Sequence, residues 1–351
     1  MTAADRRGRK RLVIHAGLGK AGSSAIQRYC REHATELRAQ RACYLGTFFE
    51  RGEPSPHAFS SVEHLLEALT HDPAVEDRIV ALLTARIEAR PGIDTFVWSQ
   101  LALAVHPERL GRIVARLAPI CDAEVIIYFR HQASWLVSAY LQWGVKHKTE
   151  PGPILPFEQW LPFAASRGAD YRAVIEGWRA AVGPERLNLR SYDRAGDVVA
   201  DFIAAARLGT TAPEPGQARH YETPDNTLML LYRLYQGQRD DVAAPGRLQR
   251  ALADNRLEQK RYRELSPGLT LPHGADWTRF AATFDETNAV LARDFGLALG
   301  PAGDGPAPDP TYPAPAIAIP ALLDLIVALN DRIGALEHRL AATDAPAPAS
   351  T

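Results

Sequence analysis

Residues 12–24, LVIHAGLGKAGSS, constrain the fold of this chain more than any other stretch. An apolar run breaks into a turn carrying Gly17, Gly19, Lys20 and Gly22, and Ser23 and Ser24 then open a helical pattern. A strand that ends in a tight turn before a helix aims several backbone N–H groups at one point. The helix N-terminus adds partial positive charge there. The stretch therefore predicts a site for an anionic group, phosphate above all, at the end of a first strand.

The position of the lysine separates the phosphate motifs. A nucleoside-triphosphate P-loop needs G-x-x-x-x-G-K-[ST], with the hydroxyl after the lysine holding magnesium. Here Lys20 is followed by Ala21, which cannot ligate a metal, and Ile14 stands where the first glycine belongs. Gly17, Gly19 and Gly22 also spell the G-x-G-x-x-G of a dinucleotide fold. That motif has no need for Lys20, and no acidic residue closes a second strand near 42–46.

A second segment has the same design. EVIIYF at 124–129 is an apolar, β-rich run of the buried-strand type, ending in Arg130-His131-Gln132 and then a helical pattern, ASWLVSAYLQWGVKHK. Arg130 falls at the strand tip and Ser138, eight residues on, about two turns into the helix. The planar guanidinium fork can grip a phosphate through two parallel bonds. Alone, the pair also reads as a strand-end charge and a helix-interior filler. Two such segments in this chain order reinforce each other.

Lys20-Ala21-Gly22-Ser23-Ser24, preceded by Ile14-His15-Ala16-Gly17 and followed by Ile26-Gln27, resembles the 5′-phosphosulfate loop of the PAPS-dependent sulfotransferases, K-[TS]-G-[TS]-[TS]. Within that family it is most similar to the bacterial, carbohydrate-type branch. The resemblance covers about the first 200 residues, with a looser likeness around 280–291. It implies a P-loop-like architecture and a transfer of the sulfuryl group from PAPS to a hydroxyl of a carbohydrate or glycolipid acceptor. No metal is required, and adenosine 3′,5′-bisphosphate is released. It also implies roles. Lys20 would contact the bridging oxygen between phosphate and sulfate. The loop from Gly17, with the main chain of Ala21, Gly22 and Ser23 and the hydroxyls of Ser23 and Ser24, would hold the 5′-phosphate. Arg130 and Ser138 would clamp the 3′-phosphate, and Tyr192-Asp193 resembles the family's aromatic–acid pair near the nucleotide; the pair also reads as a ring packed under the sheet and a helix cap. Ala21 stands where the family carries Thr or Ser, which removes one hydrogen bond.

The chain departs from the family at the base that takes the acceptor's proton. The usual His or Glu after the third strand is replaced by Gln100, which cannot accept that proton. The candidates are His57, in the loop 51–57 after the second strand, then Glu50, then His131 beside Arg130; each also reads as a plain loop residue. Ser99 could touch the donor. Trp135, Trp143, Phe157 and Trp160 could line an acceptor cleft or pack the core, and Lys146-His147-Lys148 could form a basic patch or a solvated helix end. Lys260–Arg263 and residues 271–274 are candidates for closing the adenine pocket. Two other readings stay open: a P-loop-like nucleotide or small-molecule kinase, and a nucleotide-binding relative without catalysis.

Strand-like runs at 12–15, 42–46, 95–99, 125–129 and 187–192 alternate with helical patterns at 24–40, 62–68, 75–89, 108–117, 134–147, 171–181 and 198–206. This alternation predicts an α/β fold with a central parallel sheet of about five strands flanked by helices. Both Lys20 and Arg130 fall at carboxyl ends of strands, where such sheets bind ligands. Past 208 the patterns at 226–239, 248–263 and 277–296 are helical only. The expected organisation is a domain over 1–300, with an α/β PAPS-binding part (1–208) and a helical cap (209–300). A proline-rich linker (301–320), an amphipathic helix able to pair two chains or to dock on its own domain (321–343) and a disordered tail (344–351) follow.

Apolar residues make up 46% of the 351 and charged residues 23%, as in globular proteins, and the net charge of −1 disfavours nucleic acid as a partner. Cys30, Cys43 and Cys121 fit neither a metal motif nor a disulfide scaffold. The basic N-terminus lacks the apolar core of a signal peptide, and no run of 18 apolar residues exists to span a membrane. The expected location is cytoplasmic.

Overall fold

Strand β1 (Lys10–His15) runs through the middle of a five-stranded, wholly parallel sheet. The others are β2 (Ala42–Tyr44), β3 (Thr95–Ser99), β4 (Cys121–Phe129) and β5 (Leu187–Ser191), in the spatial order β2-β3-β1-β4-β5. β1 pairs with β3 on one side (His15 opposite Ser99) and with β4 on the other (His15 opposite Ile126). The crossover at β1 puts the carboxyl ends of β1, β3 and β4 side by side, the usual place for a ligand in an open parallel sheet. The computed structural model describes residues 9–51, 57–148, 150–152, 154–210 and 271–306, together with 322, 325–326, 329–337 and 339 of the C-terminal helix.

Side-chain alternation along the strands builds two apolar layers. Leu12 and Ile14 of β1 face a layer shared with α3 (Val62–His71), α4 (Val75–Glu88), α5 (Pro107–Leu117) and α8 (Tyr171–Val182). Val13 faces the opposite layer, where Ile26 and Cys30 of α1 (Ser23–Glu32) meet Val199, Phe202 and Ile203 of α9 (Val198–Ala206). Leu12, Val13 and Ile14 are fully buried, each worth about 1.5–3 kcal/mol of transfer free energy.

Several elements differ in length from the sequence pattern. β1 begins at Lys10 rather than residue 12, and β4 at Cys121 rather than 125. Four of the six added residues are charged, Lys10, Arg11, Asp122 and Glu124, and the two extensions lie in register across the strands. Arg9 pairs with Asp122 at 3.6 Å and Arg11 with Glu124 at 3.3 Å, while the Lys10 amine donates to the carbonyls of Arg90 and Pro91, both at 3.0 Å. The pattern at 24–40 is two helices, α1 and α2 (Ala34–Ala39), broken at His33, whose ring stacks on Tyr29. That at 134–147 is α6 (Gln132–Ala139) followed by a π-helical segment (Tyr140–Lys146). That at 277–296 is α10 (Gly274–Ala282) and α11 (Asp285–Phe295). The short α7 (Phe157–Trp160) completes the described set up to residue 306. The helical patterns at 226–239 and 248–263, and Lys260–Arg263 with them, lie outside the described residues.

The chain divides into two compact units that do not follow sequence order. One contains the described residues of 1–136, 162–222 and 278–304, and the other those of 137–161, 223–277 and 305–351. The first holds the whole sheet. In the second, Tyr140 packs edge-on against Phe157, and its hydroxyl donates to the carbonyl of Leu155. All three cysteines are buried and unbridged. No described helix is long and apolar enough to cross a membrane.

Candidate functional site

The loop after β1 is held by β4. The Leu18 N–H donates to the Tyr128 carbonyl at 3.0 Å, and the Tyr128 N–H donates to the Gly17 carbonyl at 2.8 Å. Gly17 lies at φ +112°, and a Cβ there would sit 2.6 Å from the carbonyl oxygen of Leu101, so only glycine fits. Lys20 takes a positive φ of 67° and is half-buried. Ala21 is fully buried, its methyl in the layer between the sheet, α1 and α9. Where the family pattern has a hydroxyl, this chain has an apolar packing contact.

Gly22 caps α1 in the left-handed conformation with no side-chain cap. No side chain of the cap residue therefore covers the first N–H groups of the helix. Ser23 is buried, and its hydroxyl donates back to the Leu18 carbonyl at 2.9 Å, so it braces the loop. Ser24 is exposed.

Arg130 follows directly from β4, next to β1. Its guanidinium carbon lies 5.5 Å from the centroid of the Tyr192 ring and its Nε 3.9 Å from a carboxylate oxygen of Asp193. Nε is buried with no hydrogen-bond partner among the described residues. Tyr192 extends the β5 pairing through its N–H to the Phe129 carbonyl at 2.7 Å. Its ring also reaches the loop: a Cβ on Gly22 would be 3.1 Å from Tyr192 Cε2. One aromatic ring thus touches both the Lys20 loop and Arg130.

A second link is Trp135 of α6, whose indole N–H donates to the Gly19 carbonyl at 2.7 Å. Sequence reasoning placed Trp135 among cleft or core residues; it is a fully buried post under the loop. Asp193 finds its partner in a distant part of the chain. It accepts the N–H of His131, the residue just before α6, at 2.5 Å, while the helix that follows it in the chain is capped by Asp197. Burial raises the Asp193 pKa, against the opposing pull of the His131 N–H and Arg130.

The base candidates are dispersed. Glu50, in the loop after the outermost strand β2, uses Oε2 to accept the N–H groups of Thr47 and Phe48 at 2.8 and 2.9 Å. His57 is exposed in its turn. His131 is buried, with Nδ1 accepting from the Ala133 N–H and Nε2 3.3 Å from the amide nitrogen of Asn288, and burial lowers its pKa. Gln100 accepts the Ala102 N–H and caps the 3-10 turn Leu101–Val105. Ser99 is fully buried, with its hydroxyl 2.8 Å from His15 Nδ1, so it faces the protein interior. Ser138 is buried in α6.

No family model and no curated protein sequence matches the chain. Solved structures do. The chain is similar to a sulfotransferase from Alicyclobacillus acidocaldarius at 17% identity, over 69% of this chain and 97% of that one, with a TM-score of 0.37. It is also similar to the sulfotransferase domain of the Synechococcus PCC 7002 olefin synthase at 15% identity, over 78% of this chain and 94% of that one, with a TM-score of 0.28.

The remaining aromatic candidates belong to the second unit. Phe157 and Trp160 are buried there, and Trp143 is half-buried. The expected basic patch is not an open one, because Lys148 is buried and its ammonium donates to the Gly152 carbonyl. Residues 271–274, also of the second unit, lead into α10.

Proposed function

We propose that this chain is a PAPS-dependent sulfotransferase acting on a hydroxyl of a carbohydrate or glycolipid. The observation that carries the reading is the Tyr192 ring, in contact distance of the Gly22 turn on one side and under the Arg130 guanidinium on the other. It spaces two anion-seeking groups by the width of one aromatic residue at the ends of adjacent parallel strands. A nucleoside carrying phosphates at both its 5′ and 3′ positions has charges at two such separated points. The orphaned Nε of Arg130 and the uncapped start of α1 are donors of the kind those phosphates need.

In this reading the acceptor oxygen bonds to sulfur as the bond from sulfur to the bridging oxygen breaks. The electron pair leaves with adenosine 3′,5′-bisphosphate, and the acceptor's proton passes to a base. Lys20 and the loop N–H groups stabilise the charge that grows on the leaving phosphate. Arg130 fixes the 3′ end, so that the sulfuryl group is held in line with the acceptor. His57 takes the proton, a task worth about 10²–10⁴ in rate. Ala21 supplies no magnesium ligand, which sets the chain apart from a kinase.

Thermal unfolding with adenosine 3′,5′-bisphosphate, 5′-AMP and Mg-ATP tests the reading. The bisphosphate should raise Tm clearly, since a ligand at a hundred times its Kd adds about 2.7 kcal/mol. AMP should raise it much less, and Arg130→Ala should erase the difference between the two. A shift confined to Mg-ATP would make the chain a kinase. Transfer of labelled sulfate from PAPS to a carbohydrate pool then separates an enzyme from a relative that only binds.

A further inference from the structure

The C-terminal helix carries a feature that the proposed reaction does not use. Residues 329–337 are helical, as are Leu322, Leu325, Ile326 and Arg339. Leu322, Ile326, Leu329, Ile333 and Leu336 follow each other in steps of four, three, four and three residues. Each is between 39% and 56% exposed. A stripe with this spacing lies on one side of a helix and is the seam of a coiled coil. Leu340 continues it in the sequence.

We propose that this helix pairs with the same helix of a second copy of the chain, as a parallel, in-register two-stranded coiled coil. The residue types select that occupant. The steps put Ile326 and Ile333 at position a of the heptad and Leu322, Leu329 and Leu336 at position d. Isoleucine at a with leucine at d favours two parallel strands over three or four.

Charge selects the orientation. Arg332 and Arg339 fall at position g, and Glu337 at position e. In a parallel pair each g residue meets the e residue five positions on in the partner helix. Arg332 then faces Glu337 of the second copy. An antiparallel pair sets g against g and would bring arginines together. The polar side also disfavours a membrane surface as the occupant. Asp331 and Glu337 are interspersed with Arg332 and Arg339, whereas interfacial helices are rich in Lys and Arg.

Light scattering on the full chain after size exclusion should give twice the 38.5 kDa chain mass, and Ile326→Asp/Ile333→Asp should return it to 38.5 kDa with bisphosphate binding unchanged. Arg332→Glu and Glu337→Arg should each weaken the dimer, and the two together should restore it. A helix pair that needs only apolar contact would show no such restoration. Because Cys30, Cys43 and Cys121 are buried, Leu336→Cys offers an accessible thiol that should form an interchain disulfide on mild oxidation, as two in-register d positions require. A monomeric wild-type chain, failure of the double charge swap to restore dimerisation, or absence of the crosslink would overturn the proposal. So would pelleting of the wild-type chain with phosphatidylcholine–phosphatidylserine vesicles in place of dimerisation. None of these outcomes depends on PAPS, so the dimer and the sulfotransferase reading fail separately.

Discussion

The indole N–H of Trp135 donates to the carbonyl of Gly19 at 2.7 Å, tying the helix that follows Arg130 to the loop that carries Lys20. The two residues are 116 positions apart in the chain. This bond couples the two halves of the candidate nucleotide site. Trp135→Phe keeps most of the ring and removes the donor. The expected stability loss is about 1 kcal/mol, the net worth of one hydrogen bond. Adenosine 3′,5′-bisphosphate affinity should fall further than that global loss explains, because the loop is then free to shift from Arg130. Urea unfolding paired with calorimetric titration checks both; unchanged affinity would remove Trp135 from the site's support.

Gly22 holds a left-handed conformation in a crowded place. At φ +87° an added Cβ would stand 2.8 Å from both methyls of Val198 and 3.1 Å from Tyr192. Gly22→Ala is expected to cost about 1–3 kcal/mol from the backbone conformation alone. Displacement of Tyr192 should add a loss of nucleotide binding. Gly296 gives the control, with φ +67° and nothing within 4 Å of its added Cβ. Gly296→Ala should show the strain without the binding loss, readable by urea midpoints and bisphosphate titration on the two variants.

Glu50 and His57 can be told apart by the bonds that Glu50 already makes. Its Oε2 braces the turn through Thr47 and Phe48, and glutamine can accept the same two N–H groups. Glu50→Gln should therefore keep both the fold and near-normal turnover. His57→Asn should lower turnover by about 10²–10⁴ with no change in melting temperature. Sulfate transfer from labelled PAPS measures each, and the reverse pattern would move the base role to Glu50.

His15 gives the fold a pH dependence of known sign. It is fully buried, and burial lowers its pKa to about 3, so the imidazole stays neutral between Ser99, Tyr128 and Phe202. Above the unfolded value near 6.5 neither state binds the proton, and the full stability is present. As pH falls from 6.5 toward 3, only the unfolded chain takes the proton, and stability drops. Between pH 6.5 and 4.5 the difference should be about 2–3 kcal/mol. His15→Gln removes it. Urea unfolding of both proteins at pH 7 and 4.5 should show the wild type losing more, and equal losses would mean the imidazole takes up a proton in the folded state.

Strand–turn–helix order, the Lys20 turn, the arginine at a strand tip and the C-terminal heptads were all legible from residue order. Charged strand residues were not. Lys10, Arg11 and Asp122 extend strands beyond the apolar runs, and the partners that hold them there lie elsewhere in the chain. The bonding partners of Asp193 and Trp135 were hidden for the same reason. Each bonds a backbone group on an element far away in the chain.

Sequence by itself determined the local conformations, because hydrophobic periodicity, glycine in left-handed turns and helix starts depend on neighbours within a turn or two. The tertiary structure alone decided that β4 lies beside β1, and so that Arg130, Tyr192 and the Lys20 loop converge. Strand order is set by the packing of both faces of the sheet and by hydrogen bonds between segments some hundred residues apart. No window along the chain contains both partners of those contacts.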